Sequence, residues 1–138
     1  MVVSQRLAFR TRGNGDLLDV TEDVSRAVQS SGLTNGIVVI FAPSSTSGLT
    51  TLEYEPGCVA DLQRLFDDLI PPAREYRHNL RWGDGNGHSH LRAALLKASL
   101  TVPFTNRRLD LGTWQQIVYA DFDVRPRQRE LVVQILGE

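Results

Sequence analysis

Cysteine is nearly absent from this chain: Cys58 stands alone, which excludes an internal disulfide and any cysteine-rich zinc site. No apolar run approaches the roughly 18 residues of a membrane-spanning helix. Neither sign of charge is in excess, since 15 basic and 16 acidic residues leave a net charge of −1. That balance gives no argument for nucleic acid or an anionic membrane, and neither is expected as a partner. Basic residues gather only locally, at Arg107 and Arg108 and at the alternating Arg125, Arg127 and Arg129, with no aromatic-rich basic stripe. The first residues, Met1 to Arg6, alternate like a strand and lack the apolar core of a signal peptide, so a cytoplasmic location is the default expectation. There are no repeats or linkers, and the length suits a single domain, 1–138.

Periodicity supplies the elements. Residues 2–10 alternate, with Val3, Leu7 and Phe9 on one face, and predict a strand. Gly13-Asn14-Gly15-Asp16 breaks it. Thr21, Glu22 and Asp23 open a helix that runs to about Ser31 and stops at Gly32, with Val24, Ala27 and Val28 inward. Ile37 to Phe41 reads as a strand buried on both faces. A polar loop from Pro43 to Gly48 leads to a strand over Leu49 to Tyr54. Pro56 suits the first turn of a helix, and Val59, Leu62, Leu65, Phe66 and Leu69 continue it until Pro71-Pro72. Asp61 lies at the edge of that stripe, where it would face a cleft. A short helix is predicted over Ser89 to Ala98, then strands over 100–104, 109–111, 115–123 and 130–136. The class is α+β, a mainly antiparallel sheet or sandwich with about three helices in one domain.

The chemistry gathers in residues 78–90. All three histidines, His78, His88 and His90, lie there, with Asp84, Asn86 and a glycine at 83, 85 and 87. Glycines free the backbone to turn. In an extended segment His88 and His90 point the same way and share one ligand, with His78 returning across the loop. Three imidazoles, or two and Asp84, suit zinc or another divalent transition metal. If the helix begins near Ser89, His90 sits in its first turn, where the dipole favours neutral imidazole and free N–H groups suit a phosphate. The bland alternative is a turn with exposed histidines and capping serines. Ser44, Ser45, Thr46 and Ser47 offer an anion cradle or an ordinary hydroxyl-rich turn. Gly112-Thr113-Trp114-Gln115 is open in the same way, as a ligand platform or as packing. Cys58, at a helix start, reads as a small buried residue. No nucleophile–base pair is identifiable.

Several segments resemble the YjbQ-like family, often labelled secondary thiamine-phosphate synthase. They are Asp84-Gly85-Asn86-Gly87-His88-Ser89-His90-Leu91, Ser99 to Pro103, Leu111-Gly112-Thr113-Trp114-Gln115-Gln116-Ile117, Thr50 to Gly57 and Gln134 to Glu138. The resemblance spans nearly the whole chain. It implies an α+β homotrimer with its site at subunit boundaries. The implied catalytic set is Glu53, Asp61, His78, Asp84 and His90. His88 joins the metal-ligating candidates, and the 112–115 segment and Asn86 line the site. The implied reaction forms thiamine monophosphate from a hydroxymethylpyrimidine diphosphate and a thiazole phosphate, releasing pyrophosphate. A divalent metal (zinc, magnesium or manganese) is expected with it. Three positions depart from the family pattern. Ser44 stands where a histidine is usual, and serine cannot replace imidazole as a base or ligand. Arg107 stands at a turn glycine, so that turn is expected to differ. Lys97 replaces another glycine. The first departure favours an alternative: a non-catalytic trimer that binds a small phosphorylated ligand or a metal. A purely structural trimer would leave the histidine loop unexplained.

Overall fold

The computed structural model describes residues 1–138. In chain order the elements are strands β1 (Val2–Thr11) and β2 (Asp16–Asp19), helix α1 (Thr21–Ser31), strands β3 (Gly36–Phe41) and β4 (Ser47–Leu52), helices α2 (Pro56–Leu69), α3 (Arg77–Trp82) and α4 (Gly87–Leu96), and strands β5 (Ser99–Thr105), β6 (Arg108–Leu109), β7 (Gln116–Asp121) and β8 (Arg127–Gly137). All strand pairs are antiparallel. They form a five-stranded sheet, β1-β8-β3-β5-β6, and a three-stranded sheet, β2-β7-β4.

The two sheets pack face to face. Val38, Ile40, Val102, Phe104, Leu131 and Ile135 from the larger meet Leu49, Ile117 and Tyr119 from the smaller, and Val24, Ala27 and Val28 of α1 close this core. The other face of β7 offers Val118, Ala120 and Phe122 to Phe66 of α2 and Ala93 of α4. A central strand covered by a sheet on one side and helices on the other has no polar position to spare, and β7 is buried from Ile117 to Asp121.

Two elements escape the sequence pattern. β2 has four residues and follows a turn in which Asn14 and Gly15 both have positive φ. α3 has six, too few for a helical repeat to register. The helices number four, not three, and the last runs over Gly87–Leu96, two residues earlier than predicted at each end. β3 is buried on one face only: Val38 and Ile40 are inside, while Ile37 and Phe41 are 40% and 44% exposed on the outer face. The turn at Arg107 closes without the glycine expected there. Asn106 and Arg107 take φ of 51° and 64°, the mirror-image turn that suits a two-residue hairpin. Arg107 N–H donates to the Thr34 carbonyl (2.9 Å), which helps hold this turn in place.

A buried polar cluster ties β7 to β8 and to the 44–46 loop. Arg129 donates through Nε (2.7 Å) and Nη2 (2.9 Å) to the two oxygens of Asp121, which is fully buried. It also donates to Ser44 Oγ (3.0 Å) and Thr46 Oγ1 (2.7 Å). Thr46 Oγ1 in turn donates a hydrogen bond to Asp123 (3.1 Å), and Arg127 pairs with Asp123 at 3.0 Å. Removing one partner of such a pair strands a buried charge. Arg129→Met is therefore expected to lose about 3–5 kcal/mol of unfolding free energy in urea titrations, whereas Arg6→Met, on an exposed pair with Glu130, should change it by less than about 1 kcal/mol.

Candidate functional site at the α3–α4 elbow

Local chain geometry brings two of the histidines together. Gly83, with φ of 64°, ends α3. The Asp84 carboxylate accepts the Asn86 N–H (3.1 Å), and Asn79 Oδ1 accepts the Gly87 N–H (2.8 Å) where α4 begins. At Gly87 a Cβ would lie 2.5 Å from Tyr76 Cβ, so only glycine lets the two helices meet this closely. As a result the His78 and His90 rings pack edge to face with centroids 4.4 Å apart. His78 Nδ1 stands 3.5 Å from Asp84 Oδ1, within ion-pair range but without a hydrogen bond. His90 Nδ1 lies 2.9 Å from the Ser45 carbonyl. A carbonyl only accepts, so Nδ1 carries a proton, and Nε2 is the ring nitrogen left to face the clefts.

His88 goes elsewhere. The segment is helical rather than extended, and residues two apart on a helix point about 200° away from each other. His88 is buried at 3% exposure beside Tyr76, and its Nδ1 has no hydrogen-bond partner. Burial, and then the nearby Arg92 guanidinium, hold its pKa below the usual imidazole value. Asn86 also serves structure: its Oδ1 accepts from the Val124 N–H (3.2 Å) and lies 2.8 Å from Ser89 Oγ.

The 44–47 segment is no free cradle. The Ser44 and Thr46 hydroxyls are bound by Arg129, and Ser45 contributes its carbonyl to His90. Beside them an open cleft of about 340 Å³ is lined by Ser44, Ser45, Ser47, His90 and the last turns of α4. A second, of about 350 Å³, runs between Tyr76, His78, His90 and Leu91, so His90 borders both. Asp61 is not in either. It projects from α2, exposed, and pairs with Arg64 (3.3 Å). Glu53 and the 112–115 segment lie at the far end of β4: Gly112 N–H donates to Gln115 Oε1 (3.0 Å), Gln115 Nε2 donates to Thr51 Oγ1 (3.2 Å), and Trp114 is 72% exposed. Five strand steps at ~3.3 Å each put roughly 17 Å between that end and Ser47.

Comparison with known proteins agrees with this fold along its whole length. The profile of the family described as UPF0047 protein YjbQ-like matches residues 5–138. This chain belongs to the YjbQ-like family. A UPF0047 protein of Methanothermobacter thermautotrophicus is 40% identical over 99% of this chain and 94% of its own. The UPF0047 protein YugU of Bacillus subtilis is 34% identical over 95% and 97%. Among solved structures, a YbjQ-like protein of unknown function from Sulfolobus solfataricus superposes with a TM-score of 0.90 at 32% identity, covering both chains completely. A Clostridium acetobutylicum member of the family gives 0.88 at 32% identity, over 96% of this chain and 99% of that one.

Within this YjbQ-like chain the metal expectation meets a geometric obstacle. No three His, Cys, Asp or Glu side chains converge as a ligand set: His88 is turned away, Asp61 and Glu53 are remote, and His78, His90 and Asp84 are neighbours without converging on one point. The donors of one chain therefore do not fit a closed metal centre. The residues that sequence reasoning missed are Asp121, Asp123, Arg127 and Arg129. Their signal was present: two acids two apart, a short turn, then two arginines two apart, which strand alternation places on one face. Burial alone would raise the Asp123 carboxyl, but hydrogen bonds from Arg127 and Thr46 outweigh it and hold its pKa below the ordinary value.

The His88 shift has a stability consequence. A depressed histidine stays neutral when folded and takes a proton when unfolded, so stability falls as pH drops below about 6.5. Unfolding free energies measured from pH 8 to 5 should decline on the acid side, and His88→Gln should flatten that slope. An unchanged slope would show that His88 protonates as freely folded as unfolded. Gly87→Ala should cost about 1–3 kcal/mol through the Tyr76 contact, and should weaken any ring-current coupling between the His78 and His90 protons in NMR spectra.

Proposed function

We propose that this protein is a transferase of the thiamine-phosphate synthase type, acting on small phosphorylated substrates at the boundary between copies of the chain. The observation that carries this reading is the Asp84–His78–His90–Ser45 arrangement, two imidazoles in contact, one oriented by a carbonyl and one beside a carboxylate. The resemblance supplies the reaction. A thiazole ring nitrogen attacks the methylene of a pyrimidine diphosphate, the carbon–oxygen bond breaks, and pyrophosphate leaves with the electron pair. The nucleophile has no proton to lose. The useful act is to stabilise the leaving group: in its imidazolium form His90 keeps the Nδ1–H on the Ser45 carbonyl and donates from Nε2 to a departing phosphate oxygen. A divalent cation brought by the diphosphate itself needs no protein cage.

The split of the family's site residues supports a homotrimer. Glu53 and Trp114 stand at one end of β4 and His90 at the other, so a site that uses all of them needs a neighbouring copy. Exposed Leu80, Trp82, Leu91 and Leu95 on the histidine-bearing helices supply apolar surface for it. The second reading, a binder without turnover, draws on Ser44, whose hydroxyl is occupied by Arg129 and offers no base.

Turnover with the two phosphorylated substrates is the first assay, with magnesium, manganese and zinc in parallel. His90→Ala should lower kcat/KM by about 10²–10⁴. Glu53→Ala should also be inactive, yet co-expressing the two variants should restore ~25% of wild-type activity, because random mixing rebuilds one shared site in four. Native mass spectrometry showing mixed assemblies with no recovered activity would confine the site to one chain. Ligand-dependent stabilisation without product would favour the binder.

A further inference from the structure

The chain contains a single lysine, Lys97. It follows α4 with φ of 87° and ψ of 155°, a conformation that side-chain-bearing residues rarely adopt. Its backbone is held on both sides. The Lys97 N–H donates to the Ala93 carbonyl (2.9 Å), and its own carbonyl accepts from the Leu49 N–H (2.9 Å). Glycine would take this shape without strain. A strained residue that keeps a side chain points to a use for that side chain.

The surroundings indicate the use. Lys97 joins none of the nine salt bridges in the protein. It lines the 340 Å³ cleft with Ser44, Ser45, His90, Ala93 and Ala94, and no carboxylate lines that cleft. Positions 90, 93 and 94 are spaced i, i+3 and i+4 and form one stripe along α4, and Lys97 lines the same cleft just past the end of the helix. The two alanines leave the middle of the stripe open. Seven residues of helix separate the backbone of Lys97 from that of His90 by about 10 Å. Ser47, on the same wall, has a buried hydroxyl without a hydrogen-bond partner. A lone ammonium at one end, an imidazole at the other and small residues between them suit an elongated anion rather than a single ion.

We infer that Lys97 is the anion-recognising residue of the His90 cleft, and that the cleft takes a diphosphate or phosphate ester whose charged group sits at the ammonium while its body reaches His90. This rests on the reading of His90 as the centre of the functional site. It makes Lys97 a specificity residue of that site.

A lone lysine gives a clean test. The chain has only two kinds of amine, Lys97 and the α-amine, so acetylation followed by mass spectrometry reports each separately. Inorganic pyrophosphate, against chloride at matched ionic strength, should slow acetylation of Lys97 about fivefold and leave the α-amine unchanged. Pyrophosphate should also raise the Tm of the wild type, an effect lost in Lys97→Met and kept in Lys97→Arg. Lys97→Gly should lose the response while raising the ligand-free Tm by on the order of 3 °C, as strain is relieved. Equal protection of both amines, or a pyrophosphate response undiminished in Lys97→Met, would overturn the inference. The second result would leave the His78–His90 chemistry standing. Lys97 protection in a protein without turnover would instead sink the transferase reading and keep the anion site.

Discussion

Arg129 donates two parallel hydrogen bonds to a carboxylate, Asp121, that has no contact with solvent. Two charges taken out of water are tolerated only when each is matched, and here the matching recruits neighbours: Thr11 donates to Asp121 at 2.6 Å, and Thr46 bridges from Arg129 to Asp123. The cluster sits where β7 leaves the second sheet and β8 enters the first. It joins the two sheets at that end, as the apolar core joins them between.

The histidine site hangs from this junction. Arg129 holds Ser44 and Thr46, and the loop between them presents the Ser45 carbonyl to His90. From the other side, Ser89 Oγ donates to the Phe122 carbonyl at 2.6 Å and Asn86 receives the Val124 N–H, so the first turn of α4 is fixed to the end of β7. His90 is thus placed by two independent routes that lead back to the same strand end. His78 is placed by a third contact, the close approach of Gly87 to Tyr76. An electrostatic fault in the buried cluster would reach the imidazole through one loop of three residues.

Long, periodic elements were legible in the sequence. The alternation of residues 2–10, the Val24–Ala27–Val28 stripe and the Pro56 helix start all correspond to observed elements. The histidine segment was legible in composition but not in conformation. Spacing of two between His88 and His90 means one face in a strand and opposite faces in a helix, and nothing in those three residues decides between them. The decision is made by Asn79 and Tyr76, eight and eleven residues before Gly87, whose contacts start the helix early. The basic residues near the end looked like surface charge, because the spacing shows Asp121, Asp123, Arg127 and Arg129 on one face but not that this face is buried. Glu53 and Trp114 were grouped with the histidines through the family resemblance. The topology sets Glu53 and Trp114 beside one end of β4 and the histidines beside the other, a separation that no motif records.

The bond that orients His90 ends on a main-chain oxygen, and that has an evolutionary reading. Every residue type carries that oxygen, so the ring's tautomer does not depend on which side chain occupies position 45. Substitutions there are free to drift among relatives as long as the loop keeps its path. Positions 44 and 46, whose hydroxyls anchor that path, are the ones where change should leave a trace elsewhere in the chain.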